Sequence, residues 1–178
     1  MNHKNYFVLT GAMGAGKSTV LSALKALKLS CVDEPAREIL AEQRYINGKG
    51  VPEINAQLFT DLLLSRAIYQ YKQYQNKTEI VIFDRGIPDN IAYAQLFRLD
   101  TEVYINAGNN YKYNATVFFL PPWEAIYKND EERKMTFAQA KQFGLSVKAI
   151  YENLGYEIIE VPMQSPQARA EFIMQYLL

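Results

Sequence analysis

The chain has one cysteine and one histidine in 178 residues, and these scarcities exclude much at once. Cys31 has no second thiol with which to form an internal disulfide, and Cys31 with His3 is too small a set for a zinc cluster. His3 lies near the terminus, so histidine-based catalysis is not expected and any general base should be a carboxylate. Net charge is absent too: 19 basic residues balance 19 acidic ones. Such a balance speaks against a broad nucleic-acid or anionic-membrane surface, while leaving room for local anion binding. No apolar run approaches the roughly 20 residues of a membrane span, and no signal-like apolar stretch opens the chain. The expectation is a reducing, cytoplasmic setting with no membrane partner. Repeats and low-complexity tracts are also missing, and residues 1–178 read as one domain.

What is present is a phosphate-binding loop. Gly11-Ala12-Met13-Gly14-Ala15-Gly16-Lys17-Ser18 matches GxxxxGK[ST] without a gap, and Thr19 follows it. A strand-like run, Tyr6–Thr10, precedes the loop, and a helix-like run from Val20 to Leu27 follows. The motif requires that context. Glycines let backbone N–H groups turn inward around a polyphosphate above a helix N-terminus. Lys17 reaches outer phosphates, and the Ser18 hydroxyl is a ligand for Mg²⁺. The cofactors expected are therefore ATP and Mg²⁺.

β-rich runs recur at Tyr6–Thr10, Leu29–Asp33, Glu79–Asp84, Ala115–Leu120 and Tyr156–Val161, with helical patterns between them. That alternation predicts an α/β fold: a P-loop NTPase three-layer αβα sandwich with a five-stranded parallel sheet and a helical lid. Between the second and third strands two helices are expected, about Ala36–Tyr45 and Ile54–Gln75, joined by Asn47-Gly48-Lys49-Gly50. Thr136 to Gln139 has the form of a capping box opening a helix towards Leu154, with Gly155 as its C-cap. Gly144 inside that helix costs about 1 kcal/mol relative to alanine, so a kink or a close contact is expected there. Ser165-Pro166 caps and opens a last helix to about Tyr176.

Ligands of open α/β sheets sit beyond the carboxyl ends of the strands, and these ends carry polar groups suited to phosphoryl transfer. Asp84 ends an apolar strand, where a carboxylate is costly unless it is paired or linked to a metal. It is the expected acidic partner of Ser18 in holding Mg²⁺. The competing role is an N-cap or an ion pair with Arg85. After the second strand comes Asp33-Glu34-Pro35. Glu34 is the candidate general base on an acceptor hydroxyl, although Asp33 could fill that role and either carboxylate could simply satisfy a helix N-terminus. Arg133, with Lys134 second, is the candidate lid cation over the transferring phosphate, set in the charged run Asn129–Lys134 that would otherwise be a solvated face. Arg37, Arg44 and Arg66 are candidate acceptor anchors. The loop Val161–Gln164 is placed to border a nucleotide base. Asn76-Lys77-Thr78-Glu79 superficially resembles a guanine-reading NKxD tetrad, but it ends in glutamate and precedes the wrong strand.

The same pieces resemble a P-loop kinase-like family of predicted ATPases that carries an AAA-type label. They are Gly11–Ser18, Asp33–Leu40, Phe83–Asp89 with Ala92-Tyr93, Asp130–Arg133, and Leu154-Gly155-Tyr156 leading to Val161-Pro162. They extend in order over nearly the whole chain. Relatives of that family include a ribosylnicotinamide kinase domain and, more distantly, deoxynucleoside kinases. The resemblance implies a catalytic set of Lys17, Glu34, Asp84, Arg85 and Arg133, with Glu34 as base and the Asp84-Arg85 pair handling metal and phosphate. It names no acceptor. No second arginine finger or sensor region is found, and the chain is short for a ring ATPase. The expected partners are a nucleoside triphosphate and an unidentified small-molecule acceptor. The alternatives are a nucleotide-dependent regulatory protein, using ATP or GTP, and a plain NTPase.

Overall fold

A computed structural model describes residues 4–128 and 135–177. Among these residues five strands form one sheet in the order β2-β3-β1-β4-β5, with β1 at Tyr6–Gly11, β2 at Ser30–Val32, β3 at Val81–Asp84, β4 at Thr116–Leu120 and β5 at Glu157–Glu160. Every neighbouring pair is parallel. The helices are α1 at Lys17–Ala26, α2 at Ala36–Tyr45, α3 at Pro52–Gln73, α4 at Asp89–Leu96, α5 at Glu102–Asn110, α6 at Phe137–Asn153 and α7 at Pro166–Met174.

Strand alternation divides the core into two layers. Phe7, Leu9, Ile82 and Phe118 face one way and pack with Val20, Leu21 and Leu24 of α1 and Ile173 of α7. Tyr6, Val8, Phe83 and Val117 face the other and pack beneath α2 to α6. Three layers result, as the alternating strand and helix patterns predict.

Both expected caps are present. Thr136 Oγ1 accepts from Gln139 N–H at 3.3 Å while Gln139 Oε1 accepts from Thr136 N–H at 2.8 Å. Ser165 Oγ accepts from Ala168 N–H at 3.2 Å. At the other end of α6 the cap residue is Leu154, and Gly155 follows it with φ +84°, one position later than expected. Its positive φ suits the left-handed turn that returns the Tyr156 N–H to the Tyr151 carbonyl. The last helix ends at Met174, short of Tyr176. Strands β2, β3 and β5 are shorter than their apolar runs because ladder pairing, not hydrophobicity, ends them. Helices α4 and α5 occupy the stretch between β3 and β4 that the sequence left undivided.

Gly144 makes the close contact anticipated for it. A Cβ there would lie 2.8 Å from Ala12 Cβ, so the bare backbone of α6 lies against the phosphate-binding loop. The lid segment expected after the fourth strand runs from Trp123 to Met135; a single 3-10 turn at Glu124–Ile126 is described there, while Asn129–Lys134, with Arg133 and Lys134 among them, lie outside the described residues.

Candidate active site

The loop between β1 and α1 bends as its glycines allow. Gly16 caps α1 in the left-handed region at φ +84°, where a side chain would be strained and would meet Arg169 Nη1 at 3.0 Å. Lys17 opens α1 and is buried, with Nζ donating to the Ala12 carbonyl at 3.1 Å. Burial, and then the nearby Arg85 charge, lower the Lys17 ammonium to about 8.

Asp84 ends β3 and is buried, and its Oδ1 has no hydrogen-bond partner among the described residues. Burial pushes its carboxyl up to about 7, against the pull of Lys17. A shielded carboxylate oxygen without a donor is costly unless a cation meets it. Ser18 and Asp84 line the same cavity, so the donor set fits Mg²⁺. Among the described residues no three His, Cys, Asp or Glu side chains gather, so an ion here would draw its other ligands from phosphate and water.

Asp33 and Glu34 separate clearly. Asp33 is exposed and paired with Lys25 at 2.6 Å. Glu34 turns inward, where its Oε1 accepts from Arg85 Nε at 2.8 Å and from the Tyr93 hydroxyl at 2.9 Å. Burial alone would raise the Glu34 carboxyl, but Arg85 and Lys17, with bonds from Tyr93 and Arg85, hold it below the usual carboxylate range. The ion pair of Arg85 is therefore with Glu34 and with Asp89 at 2.9 Å, the two pairs the structure forms for it. Arg85 itself has φ +66°, a left-handed backbone uncommon outside glycine, and its N–H is held by the Leu9 carbonyl at 3.0 Å.

Two cavities open onto these groups. One, of about 880 Å³, runs from the phosphate-binding loop past Asp84 to Trp123, Gln164 and Arg169. The other, of about 610 Å³, is lined by Met13, Leu40, Phe59, Tyr93 and Phe97, with Arg37 and Arg44 at its polar side. Gly14, Lys17, Glu34 and Arg37 line both. Of the candidate anchors, Arg44 approaches Glu53 at 3.5 Å, whereas Arg66 is tied to Glu38 and Glu42 and lines neither cavity. The Val161–Gln164 loop borders the first cavity through Gln164.

Three side chains here carried no assigned role in the sequence. Arg169 is buried beneath the loop, donating from Nη1 to the Ala15 carbonyl at 2.9 Å and from Nε to the Pro162 carbonyl at 3.0 Å, with its guanidinium 4.8 Å from the Trp123 ring. No local pattern marks it, because its partners are backbone carbonyls, one of them at the opposite end of the chain. Asp89 and Tyr93 fall in the Phe83–Asp89 and Ala92-Tyr93 stretches, but only the fold turns both towards Arg85.

The comparisons with known proteins agree with this architecture. The family model described as an AAA domain matches residues 6–169. No curated protein matches the chain. Among solved structures, deoxyadenosine kinase from M. mycoides with bound dATP is similar over 97% of this chain and 98% of that one, with TM-score 0.68 and 20% identity. Thymidylate kinase from Candida albicans is similar over 97% and 90%, with TM-score 0.65 and 19% identity. The NadR protein in complex with NR is similar over 98% of this chain but 52% of that one, with TM-score 0.70 and 17% identity. At these identities the likeness is one of fold, and the shared fold is that of P-loop kinases. With most of its length matched by the family model and the phosphate-binding loop formed as the motif requires, the chain belongs to the AAA domain family.

Proposed function

We propose that the chain is a small-molecule kinase that transfers the γ-phosphate of ATP to a hydroxyl of a nucleoside-like metabolite. The observation that carries this reading is the sharing of Lys17 and Glu34 between two cavities. A hydrolase needs room for water at that junction, whereas a second cavity of about 610 Å³ with an aromatic floor suits a bound acceptor. The similar structures include enzymes named for nucleoside and nucleotide acceptors, which supports the choice of class.

In this reading ATP lies in the larger cavity, its phosphates over Gly11–Thr19 and its base towards Trp123 and Gln164. Glu34 takes the proton of the acceptor hydroxyl as the new oxygen–phosphorus bond forms and the bond to ADP breaks. Lys17 meets the developing charge, and Arg85 holds Glu34 through Nε while its Nη1 is engaged by Gly11 and Asp89. Ser18 and Asp84 would hold Mg²⁺, which would supply charge neutralisation at the phosphates. Arg133 is the proposed lid cation.

The test is incubation of the protein with ATP, Mg²⁺ and a panel of nucleosides, nicotinamide riboside included, followed by measurement of ADP. Acceptor-dependent ADP is expected. ADP formed equally without any acceptor would mark a plain NTPase. Tight nucleotide binding with no ADP would mark a regulatory protein.

A further inference from the structure

Tyr93 does more than line the smaller cavity. Its ring is wedged among aromatic neighbours: stacked on Phe97 at 6.4 Å, edge-on to Phe59 at 6.4 Å and tilted against Phe143 at 5.1 Å. The Arg85 guanidinium lies 5.9 Å from the ring centre and 5.4 Å from that of Phe143. Side chains of α3, α6, the end of α4 and the turn after β3 thus fix the direction in which the phenol points, and it points to Glu34 Oε1 at 2.9 Å. Arg85 Nε donates to the same oxygen at 2.8 Å. Among the described residues none donates to Oε2.

We propose that Tyr93 is a positioning residue for Glu34: its hydroxyl and Arg85 together occupy Oε1, leaving Oε2 as the oxygen that meets the acceptor hydroxyl. This rests on the reading of Glu34 as base. A carboxylate held at one oxygen by two donors has little rotational freedom, so its second oxygen is presented in one direction. The same bond stabilises the ionised form, which is the form a base must have before it accepts a proton. Bonded to an ionised carboxylate and buried, the Tyr93 phenol is itself kept protonated well above its ordinary range and so remains a donor. Among the described residues the charged groups facing Glu34 are Arg85 just after β3, Asp84 at the end of β3 and Lys17 of α1, with Asp89 of α4 paired to Arg85 and Arg37 of α2 lining the same cavities. Tyr93→Phe leaves all of them in place and removes one oxygen.

The experiment is a carboxyl ¹³C titration of the full chain labelled at glutamate, with the Glu34 signal identified by its loss in Glu34→Gln. In Tyr93→Phe the Glu34 proton affinity is expected to rise roughly tenfold or more, the effect of losing one hydrogen bond to a charged group. Phe97→Leu, which removes one packing contact and keeps the hydroxyl, should move the midpoint less than Tyr93→Phe does. In the unmutated protein the Tyr93 ring signals should follow the Glu34 titration. An unmoved midpoint in Tyr93→Phe, an equal movement in Phe97→Leu, or a flat Tyr93 response overturns the assignment. Retained acceptor-dependent ADP formation in Glu34→Gln would end the base reading instead, a result independent of the titration.

Discussion

Arg85 Nη1 and Asp89 Oδ1 meet at 2.9 Å, across the turn that joins β3 to α4 and both shut away from solvent. Asp89 also accepts from the Thr10 hydroxyl at 2.6 Å, the Gly86 N–H at 2.9 Å and the Tyr151 hydroxyl at 2.6 Å. One carboxylate thereby ties β1, the turn after β3 and α6 to the arginine that holds Glu34. The arrangement couples the stability of the fold to the geometry of the proposed base.

Replacing Asp89 by alanine leaves a buried guanidinium short of one counter-charge and three further donors without an acceptor. A loss of about 3–5 kcal/mol is expected, the range for breaking one side of a buried ion pair. Urea unfolding monitored by circular dichroism measures it. A loss below about 1 kcal/mol would show that water or neighbouring groups satisfy those donors as well as Asp89 does.

Gly144→Ala separates a packing role from a propensity effect. In an exposed helix the change should stabilise by about 1 kcal/mol. Here the added methyl would lie 2.8 Å from Ala12 Cβ, and overpacking of this kind costs about 1–3 kcal/mol. The expected result is a melting temperature lower by a few degrees together with weaker ATP binding, since the displaced residue belongs to the phosphate-binding loop. A higher melting temperature would contradict the contact.

Acidification tests the Glu34–Arg85 pair. The folded-state Glu34 carboxyl is held below its ordinary value of 4.5. A depressed carboxyl contributes stability that is fully present above the unfolded-state value and is lost as pH falls through the folded-state one. Between pH 6 and 3.5 the wild type should therefore lose more stability than Glu34→Gln, which has no proton to take up. Urea midpoints across that range, compared between the two proteins, give the difference. Parallel curves would mean that Glu34 gains nothing from its partners.

Lys17→Ala is expected to weaken ATP binding by about 1.5–3 kcal/mol, the loss of a charge-assisted phosphate contact. Calorimetry reads this directly. Unchanged affinity would place the phosphates away from Gly11–Ser18.

Much of this was legible in the sequence for a local reason. The phosphate-binding loop, the Thr136 and Ser165 caps and the strand runs are contiguous signals, each interpretable within a few residues. Gly144 announced a contact without naming its partner. The sequence favoured Glu34 but left Asp33 open, and the exposed bond from Lys25 to Asp33 and the single bond from Arg85 Nε to Glu34 Oε1 distinguish them. Asp89 and Tyr93 stood in the stretches that carry the resemblance but without a role, and Arg169 was not singled out, because their contacts join elements far apart in the chain. Helices α4 and α5 lacked strong boundary signals: neither N-cap side chain, Pro88 nor Thr101, makes a capping bond.

The most direct measurement follows the phosphoryl group itself. With [γ-³²P]ATP, Mg²⁺ and the nucleoside panel, label is predicted to appear on the hydroxyl of one acceptor and to vanish from it in Glu34→Gln. Label recovered solely as inorganic phosphate, whatever acceptor is supplied, would contradict a kinase at the junction of the two cavities.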